Sequence, residues 1–223
     1  LTPQLTLTRR GAGGPLALAE GEEDVAGREH LRVEHDLQAG GRRACSLVVV
    51  GRAGRGGGAL ARDLALARLT DGRVHFQHVT TARGVDLIRA AKAEGLKVTG
   101  EATPHHLCLD HSAVASFDTV FKVKPPLRTP ADVAAIKVGL LDGTLDAIAT
   151  DHAPHTRQDK ERPFLDAPPG MLGVETAFAI ANTELDADIE KLVELLSINP
   201  ARIAGIDDRH GGPIEAGRPA NLA

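Results

Sequence analysis

The sequence contains no tryptophan and no tyrosine, and phenylalanine occurs only five times. Proteins that bind single-stranded nucleic acids stack the bases on aromatic side chains, so this composition argues against such a platform. The net charge of -4 also provides no basic footprint for nucleic acid or for an anionic membrane. We therefore expect a small-molecule partner, no nucleic acid and no membrane.

Cysteine is equally scarce, since Cys45 and Cys108 are the only two. One pair of cysteines cannot form a disulfide framework, and no Cys-x-x-Cys spacing indicates a thiolate zinc site. No apolar run, that at residues 46–50 included, is long enough to span a bilayer. No signal-peptide pattern opens the sequence. A cytoplasmic location is the expectation.

Several further residue types are absent from the first quarter of the sequence only. Residues 1–58 contain no Lys, Ile, Asn, Phe or Met, yet they carry half of the 24 glycines. Apart from the run at 47–50, this Gly-, Arg- and Ala-rich segment has no regular periodicity. We predict that it is disordered, because it cannot bury enough apolar surface to offset its chain entropy. The residue types that are absent here are encoded by AT-rich codons. The alternative to a disordered segment is therefore a frameshift product, in which a GC-rich gene is read in the wrong frame.

From Ala59 onward, strand and helix patterns alternate. The patterns predict strands at 74–79, 97–102 and 145–150, and helices at 59–69, 83–94, 131–141, 174–184 and 188–196. Asn199 is predicted to cap a last helix with Pro200 at its first position. This succession favours a parallel α/β architecture. The sequence has no Gly-rich turn after a predicted strand, so it lacks the fingerprint of a dinucleotide-binding site.

Polar residues lie at the carboxyl ends of all three predicted strands. His78 is at the first strand end, His105 and His106 follow the second, and Asp151 and His152 follow the third. Catalytic side chains at successive strand ends are typical of a TIM barrel. Because three strands cannot close a barrel, we expect residues 59–223 to form the C-terminal part of a TIM-type (β/α)8 barrel.

The most specific of these motifs is ATDHAPH at 149–155. It places a carboxylate and two imidazoles within five residues, on a loop that Pro154 stiffens. These groups suit metal ligation, proton transfer and anion binding. The alternative interpretation of this motif is a polar loop with surface histidines. For His78 the alternative is a structural role, because a lone histidine on a strand is more often structural than a metal ligand.

Together these motifs resemble those of class I dihydroorotases, which are zinc-dependent cyclic amidohydrolases of pyrimidine synthesis. The segments that carry the resemblance occur in the family's order: FQHVTT at 76–81, TPHHL at 103–107, KVKPPLR at 122–128, ATDHAPH at 149–155, APPGMLGVET at 167–176 and NPAR at 199–202. The similarity implies a metal-dependent amidohydrolase barrel with two zinc ions per complete site.

The resemblance also implies roles for particular residues. His78 would bind the more exposed zinc, while Asp151 would touch the other zinc and shuttle the catalytic proton. His155 and the backbone groups of Pro169 and Gly170 would bind the substrate.

The resemblance also bears on Lys124 and His105. Lys124 occupies a substrate-contacting position where the family usually has Asn, so it departs from the pattern. A lysine there can pair with a substrate carboxylate, but only as a point charge. His105 would lie in the second shell of the site.

The implied reaction is the reversible hydrolysis of the cyclic amide of dihydroorotate to N-carbamoyl-aspartate. Opening this ring needs a nucleophile at neutral pH, which zinc supplies by lowering the pKa of bound water. The implied assemblies are a homo-oligomer or a complex with aspartate transcarbamoylase.

The family's His-x-His motif, which holds the buried zinc, does not occur before Ala59. A zinc site normally needs at least three protein ligands, so the sequence as given is expected to be inactive. A fragment or frame-damaged dihydroorotase and a non-catalytic scaffold subunit both fit this absence. Dihydropyrimidinase and allantoinase are the nearest related activities, although both usually lack a histidine at the position of His155.

Overall fold

The computed structural model describes residues 32–36, 44–49, 58–210 and 215–218. Five strands form one sheet in chain order, and they are β1 (Arg32–Asp36), β2 (Ala44–Val49), β3 (Arg73–Phe76), β4 (Val98–Ala102) and β5 (Ala147–Ile148). β1 pairs with β2 in antiparallel fashion, whereas β2 to β5 are parallel neighbours. Parallel neighbours require crossover connections, which the helices provide.

Helices connect and follow the parallel strands. α1 (Gly58–Thr70) connects β2 to β3, and α2 (Ala82–Ala93) connects β3 to β4. α3 (His105–Cys108) and α4 (Pro130–Leu141) lie between β4 and β5. After β5 come α5 (Arg157–Lys160), α6 (Ala177–Glu184), α7 (Ile189–Val193), a π-helical turn (Glu194–Ile198) and α8 (Asn199–Ala204). This alternation confirms the predicted parallel α/β class and is that of a partial α/β barrel.

Local sequence signals explain where the longer helices begin and end. The Thr81 hydroxyl accepts a hydrogen bond from Gly84 N (3.1 Å) and so caps α2, and Gly95 follows that helix with a φ of 81°. Thr129 and Asp132 form a capping box at α4, with Pro130 in its first turn. Such caps satisfy backbone N–H groups that have no partner within the helix.

The hydrophobic core lies between the sheet and the helices. Phe76, Ile88 and Leu145 are among its fully buried side chains. Gly100 of β4 faces the same core, where an added Cβ would lie 3.0 Å from both Ile88 Cδ1 and Leu145 Cδ2. The glycine therefore lets α2 and the segment before β5 pack closely on the sheet.

Three sequence predictions need correction. The predicted strand 74–79 ends at Phe76, so His78 lies just beyond it and not within it. Only Ala147–Ile148 of the predicted strand 145–150 pairs as a strand. Asn199 does not cap the last helix, because Ile198 holds that position with helical dihedral angles and no side-chain cap. Asn199 Nδ2 instead donates to Asp146 O (2.9 Å), which fastens α8 to the start of β5.

The predicted low-complexity segment, residues 1–58, lies largely outside the described residues. Its described parts are β1, β2 and Gly58, and β2 contains most of the apolar run at 47–50. Disorder or a frameshift in this segment therefore stays a prediction.

Among the described helices, none has both the length and the apolar character that a membrane crossing demands.

Candidate active site

The candidate site lies at the carboxyl ends of β3, β4 and β5. His78 follows β3 and Asp151 follows β5, and both have left-handed backbone conformations, with φ of 53° and 47°. A non-glycine residue in this region is strained by about 1–3 kcal/mol, and such residues cluster at functional sites. The backbone therefore turns sharply at the two residues predicted to bind metal.

Four polar side chains form a chain of contacts across these strand ends. His78 Nε2 lies 3.5 Å from Asp151 Oδ1, and His78 Nδ1 lies 3.1 Å from Glu101 Oε1. The other oxygen of Glu101 accepts a hydrogen bond from His75 Nε2 (2.9 Å). The contact between His78 Nδ1 and Glu101 is too far from linear to count as a hydrogen bond, so it is chiefly electrostatic.

Glu101 is the carboxylate that joins His75 and His78 in this series of contacts. Burial alone would raise the pKa of its carboxyl group, but the contacts with His75 and His78 lower it to about 2. Burial lowers the pKa of His78, yet Glu101 and the charge of Asp151 outweigh this effect and raise it overall. The pKa of the Asp151 carboxyl is raised, mainly by burial and also by the charge of Glu101. A carboxylate with a raised pKa is a suitable proton carrier.

The separation of His78 Nε2 and Asp151 Oδ1, 3.5 Å, fits two ligands of one metal ion. Two ligands at tetrahedral zinc, each about 2.0–2.1 Å from the ion, lie about 3.3 Å apart. The second ring nitrogen of His78 faces a carboxylate, as is usual for metal-binding histidines. Within the described residues, no group of three or more His, Cys, Asp or Glu side chains could hold a metal ion. Metal binding by His78 and Asp151 therefore stays a prediction.

His105 and His106 lie buried beside this chain, with ring centroids 4.4 Å apart. His106 donates from Nε2 to Pro125 O (3.1 Å) and accepts at Nδ1 from the Thr103 hydroxyl (2.6 Å). Burial lowers the pKa of His105 to about 4, with a smaller contribution from the charge of His78. His105 is therefore neutral and close enough to sense His78, but its second-shell role stays a prediction.

The predicted substrate-binding residues His155, Pro169 and Gly170 come together in a second cluster. His155 Nε2 donates to Pro169 O (3.0 Å). Gly170 has a φ of 140°, and a Cβ there would lie 2.8 Å from His155 Nε2 and 2.7 Å from Ala153 Cβ. Only glycine fits this position without displacing the histidine. Lys124 is exposed on the neighbouring segment. Substrate binding by these residues stays a prediction.

Sequence reasoning missed Glu101 and His75. The alternation of side chains along the strands could have revealed them. His75, Thr99 and Glu101 lie on one face of β3 and β4, and Phe76 and Gly100 lie on the opposite face. Three polar residues on one face of paired central strands indicate a polar site and not a core.

Comparison with known proteins places these features in a family. The model of the amidohydrolase family matches residues 31–223. The dihydroorotase of Deinococcus radiodurans is 48% identical over 165 residues, which are 73% of this chain and 39% of the relative. The dihydroorotase of Mycobacterium leprae is 46% identical over 167 residues, again 73% of this chain and 39% of the relative. The chain thus spans about two fifths of the length of these curated relatives.

Solved structures show the same fold. A dihydropyrimidinase from Brevibacillus agri NCHU1002 superposes with a TM-score of 0.67 and 26% identity, over 74% of this chain and 38% of that one. An L-hydantoinase from Arthrobacter aurescens superposes with a TM-score of 0.66 and 29% identity, over 73% of this chain and 37% of that one. These similarities agree with the predicted C-terminal part of a TIM-type barrel.

Proposed function

The chain belongs to the amidohydrolase family, and on this premise we propose that it forms the C-terminal part of a dihydroorotase. The proposed reaction is the reversible hydrolysis of the cyclic amide of dihydroorotate to N-carbamoyl-aspartate. The observation that carries this proposal is the approach of His78 Nε2 to within 3.5 Å of Asp151 Oδ1, just beyond the ends of β3 and β5. Dihydroorotase relatives at 46–52% identity support the choice of substrate.

Asp151 is the proposed proton carrier. Its carboxylate accepts a proton from the attacking water and passes it to the ring nitrogen that leaves. His78 and Asp151 would hold zinc, which supplies a nucleophilic hydroxide at neutral pH when bound. The family is generally metal-dependent, and zinc is the metal that we propose.

His155 is proposed to recognise the carboxylate that dihydroorotate carries. Its Nε2–H is held by Pro169 O, so Nδ1 is the ring nitrogen that is left to face the substrate. Lys124, whose side chain is exposed, is the second residue that we propose for this role. A ring without a carboxylate would gain nothing from these groups.

The alternatives are weaker on specific grounds. The dihydropyrimidinase and hydantoinase structures are 24–29% identical to this chain, well below the dihydroorotase relatives. A non-catalytic scaffold subunit has no need to keep strained backbone at both His78 and Asp151. We further propose a cytoplasmic location, for which the low cysteine content is typical, and assembly as a homo-oligomer or with aspartate transcarbamoylase.

The proposal can be tested with a chimaera in which residues 59–223 follow the N-terminal part of the Deinococcus radiodurans relative. The chimaera should hydrolyse dihydroorotate in preference to dihydrouracil. His155→Ala should raise KM for dihydroorotate about ten- to a hundredfold, as expected for roughly 1.5–3 kcal/mol lost with a hydrogen bond to a charged group. Activity on dihydrouracil is the control and should hardly change. A preference for dihydrouracil before mutation would contradict the proposed substrate.

A further inference from the structure

The loop at residues 163–170, which carries Pro169 and Gly170, is held by two lysine ammonium groups. Lys122 Nζ donates to three backbone carbonyls of this loop, those of Phe164 (2.7 Å), Leu165 (3.0 Å) and Ala167 (2.5 Å). An ammonium group has three donors, so these contacts use all of them. Lys122 is therefore committed to the loop and has no N–H left for a substrate anion.

Lys160 closes the other side of the same loop. Its Nζ donates to Pro168 O (3.1 Å) and to Thr119 O (3.0 Å), so it joins the loop to the segment that leads into Lys122. The Thr119 hydroxyl donates back to Lys160 O. The two segments therefore hold each other through both lysines.

The contacts of Lys122 continue directly into the candidate site. Its own carbonyl oxygen accepts a hydrogen bond from Gly170 N (2.8 Å), and its ammonium group lies 5.4 Å from the centre of the Phe164 ring. Next to Gly170, Pro169 O accepts the hydrogen bond from His155 Nε2 (3.0 Å). The position of His155 thus depends on a loop that Lys122 and Lys160 fasten at several points.

We propose that Lys122 and Lys160 are positioning residues for substrate recognition, because they hold Pro169 and Gly170 against His155. Loops are usually more mobile than the strands they connect, so a binding group on a loop needs such fastening. Charge-assisted hydrogen bonds are about twice as strong as neutral ones, which makes ammonium groups effective for this purpose. This inference rests on the proposed function for its substrate, although the fastening itself does not.

The fastening is tested on the chain itself by hydrogen exchange. In Lys122→Met, the hydrogen-bonded amides of Asp166, Ala167 and Gly170 should exchange at least about tenfold faster, because three carbonyls of the loop lose their partner and the loop opens more often. Lys160→Met should have a smaller effect, and Lys122→Arg should restore part of the protection. Lys97→Met is the matched control, since Lys97 pairs with Asp71 on the exposed surface, and it should leave this loop within twofold. Unchanged exchange in Lys122→Met would overturn the inference.

Two further measurements separate positioning from a merely structural role. In Lys122→Met, the ¹⁵N shift of His155 Nε2 should move toward that of an imidazole in water, because the bond to Pro169 O is weakened. In the chimaera, the same substitution should raise KM for dihydroorotate about tenfold, with kcat within twofold. A lower kcat at unchanged KM would contradict positioning. If the chimaera does not act on dihydroorotate at all, the proposed function fails, while the exchange and the His155 shift still decide whether the lysines position His155.

Discussion

The two faces of β3 and β4 have the same backbone but opposite surroundings. On the face toward the helices, Val74 and Phe76 are almost completely buried among apolar side chains. On the other face, His75 donates to Glu101 and accepts from Thr99. Successive side chains of a strand point to opposite faces, so a register shift by one residue would exchange the core and the site. The alternation of side chains along β3 and β4 therefore specifies both the apolar core on one face and the polar site on the other.

The two faces also obtain their stability differently. Burial of apolar surface is favourable in itself, at about 25 cal/mol per Å². A buried carboxylate is unfavourable unless it is paired, and Glu101 is paired with two imidazoles. We therefore expect the apolar face to dominate the free energy of unfolding, and the polar side to control its pH dependence.

The largest expected effect tests the apolar side. Leu64→Ala in α1 should lower the free energy of unfolding by about 2–5 kcal/mol, because Leu64 is 1% exposed and its removal leaves a cavity. Leu69→Ala in the same helix is the matched control, since Leu69 is 83% exposed, and it should change stability by less than about 0.5 kcal/mol. Urea unfolding measures both variants. Similar losses would show that α1 does not pack on this sheet as described.

A smaller effect on stability is expected at Gly170, where its loop contacts His155. Gly170→Ala should destabilise the chain by about 1–3 kcal/mol, because its φ of 140° is unfavourable for other residues and the Cβ would contact His155. Gly58→Ala adds the same methyl group where no heavy atom lies within 4 Å. Stability measured by urea unfolding should not fall in this control. A neutral Gly170→Ala would mean that the contact between Gly170 and His155 is loose.

The third prediction concerns pH. Burial lowers the pKa of His106 to about 3, whereas the unfolded chain binds the proton near pH 6.5. Below pH 6.5 the unfolded state thus binds more protons, so stability should fall with decreasing pH down to about pH 3. The slope is at most about 1.4 kcal/mol per pH unit for this histidine, and His105 adds a similar contribution down to pH 4.

His106→Asn separates this effect from general acid denaturation. The side-chain oxygen of Asn can still accept from the Thr103 hydroxyl in place of Nδ1, although the bond to Pro125 O is lost, and the amide has no proton to bind in this range. Urea midpoints measured from pH 7 to pH 4 should therefore show a shallower slope in this variant than in the parent. Equal slopes would mean that folding does not lower the pKa of His106.

Much of the fold and part of the site follow from sequence patterns. The helix limits agree to within a few residues at α1, α2 and α4, because apolar periodicity and caps act locally. Asn199 was misread, because an Asn before Pro is also able to bond a distant carbonyl, here that of Asp146. The π-helical turn before α8 has no comparable local signal.

The sequence by itself determined which residues are chemically able to act and which segments are helical or extended, since both depend on side chains a few positions apart. Only the tertiary structure decided that His78 meets both Asp151 and Glu101, and that Lys122 holds the loop beside His155. These contacts join residues far apart in the chain. Their geometry depends on strand register and loop packing, which no local pattern specifies.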